Sequence, residues 1–139
     1  MVILDTNVLS ELMRQQPEHR VTMWLDRQAE LSVWMTSINV FEVRGGIEML
    51  PNSRRRSRLQ AAFERLIEED FRRRVVSFDT AAAEQAASLM AARQRAGRPG
   101  ELRDTMIAGV VLANHATLAT RNTRHFADLS VPVVNPWGD

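Results

Sequence analysis

Short apolar segments alternate with longer segments of helical spacing, and this alternation constrains the fold more than any other feature of the sequence. The apolar segments are too short for helices and suit strands, and they cover residues 2–4, 31–37, 75–78, 117–120 and 131–134. Helices are predicted between them, over residues 7–14, 18–28, 38–50, 59–71, an alanine-rich stretch after 79, and 102–115. Strands that alternate with helices form a mainly parallel sheet covered on both faces. The pattern therefore predicts a three-layer α/β/α fold with four or five strands, the last on an edge because Pro132 lacks a backbone donor.

The length and composition of the chain are those of a single ordinary domain. A chain of 139 residues with 45% hydrophobic and 25% charged residues can bury a proper core, so we predict one domain over residues 1–139. The absence of cysteine excludes disulfides and thiolate metal sites. No apolar stretch reaches membrane-spanning length, and the start lacks the features of a signal peptide. We therefore expect a cytoplasmic protein.

Polar residues follow most of the predicted strands, and capping of the next helix explains several of them. Ser37 is predicted to cap the helix over 38–50, and Asp79 or Thr80 the alanine-rich helix. Capping explains only one of the three polar residues after the first strand, which are Asp5, Thr6 and Asn7. A buried carboxylate needs a partner. Asp5 therefore predicts a functional site at the carboxyl end of the sheet, where Asn122 should also lie.

Two further carboxylates, Glu42 and Asp104, adjoin helical stripes of apolar residues that should face the sheet. Each has a simpler explanation on its own: Glu42 could turn to solvent, and Asp104 could favour the helix dipole as a first-turn acid. Taken with Asp5, they predict a cluster of acids, which would repel one another unless a cation neutralised them. Oxygen ligands without cysteine suit Mg²⁺ or Mn²⁺ rather than zinc.

The basic residues are all arginine, 18 in number, and they include two clusters. One cluster spans residues 54–58 and the other residues 72–74. We interpret both as the solvated face and ends of one helix whose middle carries Glu64, Glu68 and Glu69. The alternative is a patch that faces RNA. The formal net charge of +1 does not decide between them.

Four segments in this order resemble a PIN domain: "LDTNVLSE", "FEVRGGIEML", "RDTMIAGVVLANHATLATRNTRHF" and "VVNPWGD". More narrowly, the sequence resembles the toxin ribonucleases of VapBC-type toxin–antitoxin pairs, including the FitB-like branch, over essentially the whole chain. The resemblance implies a PIN-like fold and a metal-dependent endoribonuclease that uses Mg²⁺ or Mn²⁺ to cleave single-stranded RNA.

The resemblance also implies the site residues. Asp5, Glu42 and Asp104 match the catalytic acids that bind metal, and Asn7 and Thr120 match secondary polar positions. Many relatives carry a fourth acid, at the position of Asn122 or of His125, and neither residue is acidic here. We therefore expect activity with a weakly held second ion, to which Asn122 contributes a carbonyl. Asp128 could substitute for the missing acid.

The partners follow from the resemblance as well. It implies a small antitoxin that inhibits the enzyme, a homodimer, and contact with promoter DNA only through the antitoxin. Gly45 and Gly46 lie one helical turn after Glu42 and leave room for a groove that an antitoxin tail could enter. No membrane partner is expected.

Two alternatives from other functional classes stay open. The first is a binding module that has kept the fold but lost much of its catalysis, which the missing fourth acid favours. The second is a phosphotransferase with Asp5 as covalent nucleophile. Such enzymes need a second acid two residues later, where this chain has Asn7, and the chain has no lysine to assist.

Overall fold

A five-stranded, entirely parallel sheet forms the centre of the fold in the computed structural model, which describes residues 1–138. The strands are β1 (Val2–Leu4), β2 (Val33–Thr36), β3 (Val75–Val76), β4 (Thr117–Ala119) and β5 (Val133–Val134). Their order across the sheet is β3-β2-β1-β4-β5, so β1 is central and β5 is an edge strand, as Pro132 predicts. The predicted α/β/α class is confirmed.

Six helices connect and cover the strands. They are α1 (Thr6–Leu12), α2 (His19–Asp26), α3 (Ser37–Glu48), α4 (Arg54–Arg65), α5 (Thr80–Arg95) and α6 (Leu102–Ala113). Short 3₁₀ turns form at Glu30–Ser32 and Thr123–Phe126, and a π-helical turn at Leu66–Asp70. The predicted helix over 59–71 is wrong at both ends. It begins earlier because Ser53 caps it, accepting from the Arg56 N–H at 3.1 Å, and its last turn widens into the π-helical turn.

The sheet is buried on both faces, and each face has its own apolar cluster. Ile3 points to the cluster that contains Ile107, Val111 and Leu118, whereas the next residue, Leu4, points to the opposite one. Successive side chains of a strand face opposite sides. A strand buried on both sides therefore has no polar alternation, which is why the apolar segments of the sequence predict the sheet well.

Helices α5 and α6 pack against each other at close range, and Gly109 makes this approach possible. A Cβ atom at Gly109 would lie 2.5 Å from the carbonyl oxygen of Ala82 and 2.7 Å from the Cβ of Ala86. The alanine-rich composition of α5 therefore has a packing reason in addition to helix propensity.

The cap of α3 differs from the prediction. Thr36, not Ser37, is the N-cap, because Thr36 and Asn39 form a capping box in which each side chain accepts from the other backbone N–H. The Ser37 hydroxyl instead accepts from the Phe78 N–H at 2.9 Å. Asp79 does cap α5, accepting from the Ala82 N–H at 2.9 Å.

The second arginine cluster is not entirely solvated, which corrects its interpretation as a solvated helix end. Arg72 and Arg73 are exposed, but Arg74 is only 8% exposed. The Arg74 Nε donates to the carbonyl oxygen of Val33 at 2.9 Å, at the amino end of β2. Arg74 therefore ties the segment before β3 to the start of β2.

Within residues 1–138, no helix combines the length and the apolar character that crossing a membrane would require.

Candidate metal centre

Asp5 lies at the carboxyl end of the central strand β1, where its carboxylate is surrounded by hydrogen-bond donors. The Thr120 hydroxyl, just after β4, donates to Asp5 Oδ2 at 2.7 Å, and the Asn7 side-chain amide donates to the same oxygen at 3.2 Å. The other oxygen, Oδ1, accepts from the Thr6 N–H at 2.8 Å and so caps α1. The structure therefore brings the predicted residues Asp5, Asn7 and Thr120 into direct contact.

Burial dominates the electrostatics of Asp5. The residue is 4% exposed, and burial raises the pKa of its carboxyl above the ordinary value. The hydrogen bonds from Thr120, Thr6 and Asn7 act in the opposite direction without cancelling this effect. The protein alone therefore does not fully compensate the negative charge of Asp5, and a cation would stabilise it.

Asp104 lies in the first turn of α6, and its carboxyl faces the other predicted acids. Burial, followed by the negative charges of Asp5, Glu101 and Glu42, raises the pKa of Asp104 to about 6. These repulsions place the three predicted acids in one electrostatic cluster. The His125 Nδ1 lies 3.8 Å from Asp104 Oδ2, too far for a hydrogen bond.

Glu42 occupies the side of the cluster nearest α3. The Thr6 hydroxyl donates to Glu42 Oε1 at 2.7 Å, and the same hydroxyl accepts from the Asn39 amide at 2.8 Å. The Arg103 Nε lies 3.6 Å from Glu42 Oε2. Because the Glu42 side chain is only 17% exposed, the alternative in which it turns to solvent is wrong.

The oxygen ligands of the site suit a hard cation, although the acids are too far apart in this structure to hold one together. Within residues 1–138, no three acidic or histidine side chains stand close enough together to hold an ion. Glu42 contacts Thr6 of α1 through Oε1 and Arg103 of α6 through Oε2. Asp5 and Asp104 supply carboxylate oxygens from adjacent elements, and such oxygens are the ligands that Mg²⁺ and Mn²⁺ prefer.

The structure separates the two candidates for the missing fourth acid. Asn122 is exposed at the edge of the site, and its backbone N–H donates to the Thr120 hydroxyl at 3.0 Å. Both oxygens of Asp128 instead accept from the Arg93 guanidinium, at 2.8 and 2.9 Å. Asp128 as a replacement for the acid therefore stays a prediction, and the structure disfavours it because its carboxylate is already paired with Arg93.

Two residues that shape the site, Thr6 and Arg103, have no assigned role in the sequence-based prediction. Thr6 is one of three polar residues after the first strand, and nothing in the spacing indicates that it contacts Glu42 and Asn39, which lie more than thirty residues away. For Arg103 the only indication in the sequence is that it immediately precedes the predicted acid Asp104. Such contacts depend on how α1, α3 and α6 meet, which a local pattern does not encode.

A groove of about 640 Å³ opens beside Glu42, between α1, α3 and α4. Its walls include the apolar residues Val43 and Ile47 and the basic residues Arg55 and Arg58. Gly46 also lines it, and a Cβ atom there would meet nothing within 4 Å, so the helix surface is open at this point.

Together, the fold and these side chains define a class of protein: an α/β/α domain whose carboxylates gather at the carboxyl ends of central parallel strands, where a hard cation could bind. The sequence matches the PIN domain family over residues 2–131. The chain therefore belongs to the PIN domain family, which confirms the resemblance.

Individual relatives span the whole chain. Plasmid stability protein StbB of Pseudomonas syringae pv. tomato is 39% identical over 137 residues, with 99% of each chain covered. VapC ribonuclease Y4jK of Sinorhizobium fredii is 34% identical over 137 residues, covering 99% of this chain and 98% of that protein. Toxin FitB of Neisseria gonorrhoeae is 35% identical over 139 residues, which is 100% of both.

A solved structure of FitAB bound to an IR36 DNA fragment has the same fold. Its matching chain superposes with a TM-score of 0.88 at 34% identity, over 100% of this chain and 97% of that one.

Proposed function

We propose that this protein is a metal-dependent endoribonuclease and the toxin of a type II toxin–antitoxin pair. The observation that carries the proposal is the group of partly buried acids at the carboxyl end of the sheet, where burial and, after it, the negative charges of Asp5, Glu101 and Glu42 raise the pKa of Asp104 to about 6. A protein gains nothing in stability from such an arrangement, but a cation-binding site needs it. The names of the relatives VapC ribonuclease Y4jK and Toxin FitB support the choice of reaction and of biological role.

The proposed ligands are Asp5 and Asp104, with Glu42 as the third acid. When bound, Mg²⁺ or Mn²⁺ supplies Lewis acidity, which activates water and stabilises charge on the phosphodiester. Thr120 and Asn7 orient Asp5, because both donate to Oδ2 and leave less freedom for the carboxylate to rotate. Asn122 contributes at most an amide carbonyl at the edge of the site, so a second ion is held weakly or arrives with RNA.

The groove beside Glu42 is the proposed contact surface of the antitoxin. Its apolar walls suit a peptide segment, and Glu42 is one of its lining residues, so a peptide in the groove would cover the Glu42 side of the site. In this proposal the toxin is a cytoplasmic homodimer, and its complex with the antitoxin contacts promoter DNA only through the antitoxin. The solved FitAB complex with a DNA fragment supports this assembly.

Metal dependence tests the proposed reaction. Purified protein freed of antitoxin should cleave single-stranded RNA with Mg²⁺ or Mn²⁺ and stop when EDTA is added. The Asp5→Asn variant should be inactive, whereas the matched control Asp26→Asn, on the exposed side of α2, should keep wild-type activity. Full cleavage in excess chelator would contradict the proposal.

Co-expression tests the proposed partner. The small protein encoded beside this chain should abolish growth inhibition and co-purify with the toxin. Growth inhibition that persists in cells containing such a complex would mean that the partner leaves the site open.

The rival phosphotransferase mechanism is disfavoured by the surroundings of Asp5. The described partners of its two oxygens are the Thr120 hydroxyl, the Asn7 amide and the Thr6 N–H, and none of them is a second acid. Asn7, at the position where a second acid would be required, donates to Asp5 instead. A stable phosphoryl adduct on Asp5 would revive this mechanism.

A further inference from the structure

A buried arginine, Arg93, lies next to the proposed metal centre but is not one of its proposed ligands. Arg93, near the end of the alanine-rich helix α5, is 5% exposed. Burying a guanidinium is costly unless its N–H groups find acceptors. Those acceptors indicate what Arg93 does.

The guanidinium of Arg93 connects three segments of the chain. Its Nε and Nη2 donate to the two oxygens of Asp128, and Nη2 also donates to the carbonyl oxygen of His125 at 2.9 Å. Its Nη1 donates to the Thr105 hydroxyl at 3.1 Å. Arg93 therefore links α5 to the first turn of α6 and to the 3₁₀ turn after β4.

Both linked segments carry residues of the site. Thr105 directly follows Asp104, and its hydroxyl also donates to the Glu101 carbonyl, which secures the turn that presents Asp104. His125 lies beside Asp104, with 3.8 Å between Nδ1 and Oδ2. One guanidinium is thus hydrogen-bonded to both segments at this edge of the site.

The chain before α6 is shaped to accept this guanidinium. Gly100 has φ +44°, a conformation that favours glycine, and a Cβ there would lie 3.1 Å from Arg93 Nη1. The turn before Asp104 therefore closes tightly onto Arg93, and a side chain at residue 100 would push against the guanidinium.

We propose that Arg93 is a positioning residue of the metal centre, which fixes Asp104 relative to the turn that carries Asn122 and His125. This inference rests on the proposed function, because it requires that Asp104 binds the ion. Residues that orient metal ligands from outside typically contribute 10–100-fold to metal affinity or activity, by order of magnitude.

The test compares Arg93 with an equally buried arginine far from the site. Arg74 is 8% exposed and also donates to a backbone carbonyl, but at the amino end of β2. Arg93→Met and Arg74→Met should both lower the melting temperature. Only Arg93→Met should weaken Mn²⁺ binding, by roughly tenfold or more in isothermal titration calorimetry, with a matching loss in kcat at saturating RNA.

A milder pair of variants covers the case in which Arg93→Met does not fold. Thr105→Val keeps the shape of the side chain but removes the acceptor, and should weaken Mn²⁺ binding several-fold. Thr105→Ser keeps the hydroxyl and should bind Mn²⁺ as the wild type does. Mn²⁺ affinities of Arg93→Met and Thr105→Val equal to that of Arg74→Met would overturn the inference and leave the proposed function intact. Wild-type protein that binds no Mn²⁺ would overturn both.

Discussion

Replacing Asp104 with asparagine should stabilise the metal-free protein at neutral pH, although it removes a proposed ligand. The pKa of Asp104 is raised from 3.8 to about 6, so ionisation at pH 7.5 costs the folded state free energy. A shift of about two units corresponds to roughly 3 kcal/mol at most. Because the side chain is 25% exposed, screening by solvent reduces this to about 1–2 kcal/mol. For a chain of this size the gain corresponds to a rise in melting temperature of roughly 3–8 °C.

The sign of the pH dependence follows from the same shift. Because the folded state holds the proton of Asp104 more tightly than the unfolded chain, the free energy of unfolding of the wild type falls as pH rises from about 4 through 6. Below about pH 4 the carboxyl is protonated in both states. The extra stability of Asp104→Asn relative to wild type should therefore reach its full value above pH 6 and vanish near pH 4.

The assay is thermal unfolding in EDTA at several pH values between 4 and 8, with Asp128→Asn as the matched control. The hydrogen bond and charge of Arg93 lower the pKa of Asp128, so its ionised form stabilises the fold. Asp128→Asn should melt lower than wild type at pH 7.5, and this loss should shrink as pH falls through the lowered pKa. If Asp104→Asn also melts lower at pH 7.5, Asp104 is a structural acid and our assignment of it to a cation site is wrong.

Three further predictions concern other parts of the site and the core. Thr120→Val removes the donor to Asp5 and should cost about 1–2 kcal/mol in chemical denaturation, whereas Thr120→Ser should stay near wild type. Asn122→Asp should lower the Mn²⁺ concentration for half-maximal RNA cleavage and Asn122→Ala should raise it modestly; an unchanged titration would exclude Asn122 from the site. Gly109→Ala should destabilise by about 1–3 kcal/mol, because its Cβ would lie 2.5 Å from a carbonyl oxygen of α5. Gly45→Ala, with nothing within 4 Å, should instead stabilise α3 by up to about 1 kcal/mol, and equal melting temperatures for the two variants would refute this account of the core.

The fold and the positions of two acids could be predicted because they depend on local rules. A strand buried on both faces is apolar throughout, so β1 ends visibly where Asp5 begins. Asp104 lies one turn before Ile107 and Ala108, which are fully buried, so its place on the sheet-facing side of α6 follows from helical spacing. The carboxyl ends of parallel strands share one edge of a sheet, which brings Asp5 near Thr120.

The contacts that the sequence did not reveal join residues distant in the chain. The pairing of Arg93 with Asp128 spans 35 residues, and nothing local indicates that the two residues meet. Arg93 lies in an alanine-rich helix that composition alone explains, and Asp128 lies close enough to the fourth strand to be taken for a ligand. Burial of the guanidinium depends on α5, α6 and the 3₁₀ turn at once, and such three-way contacts leave no periodic signal.

The three acids of the cluster are neutralised to different degrees, and this difference indicates where a cation gains most. Hydrogen bonds from Thr120, Asn7 and the Thr6 backbone partly offset the burial of Asp5, and Glu42 has both the Thr6 hydroxyl and Arg103. Among the described residues, no hydrogen bond reaches the Asp104 carboxylate, and His125, at 3.8 Å, lowers its pKa by less than burial and the charges of Asp5, Glu101 and Glu42 raise it. Asp104 is therefore the acid whose charge the protein leaves least compensated. A bound ion would gain most of its electrostatic stabilisation there. This gain would offset the free-energy cost of burying Arg93, whose hydrogen bonds hold the turn of Asp104 in place.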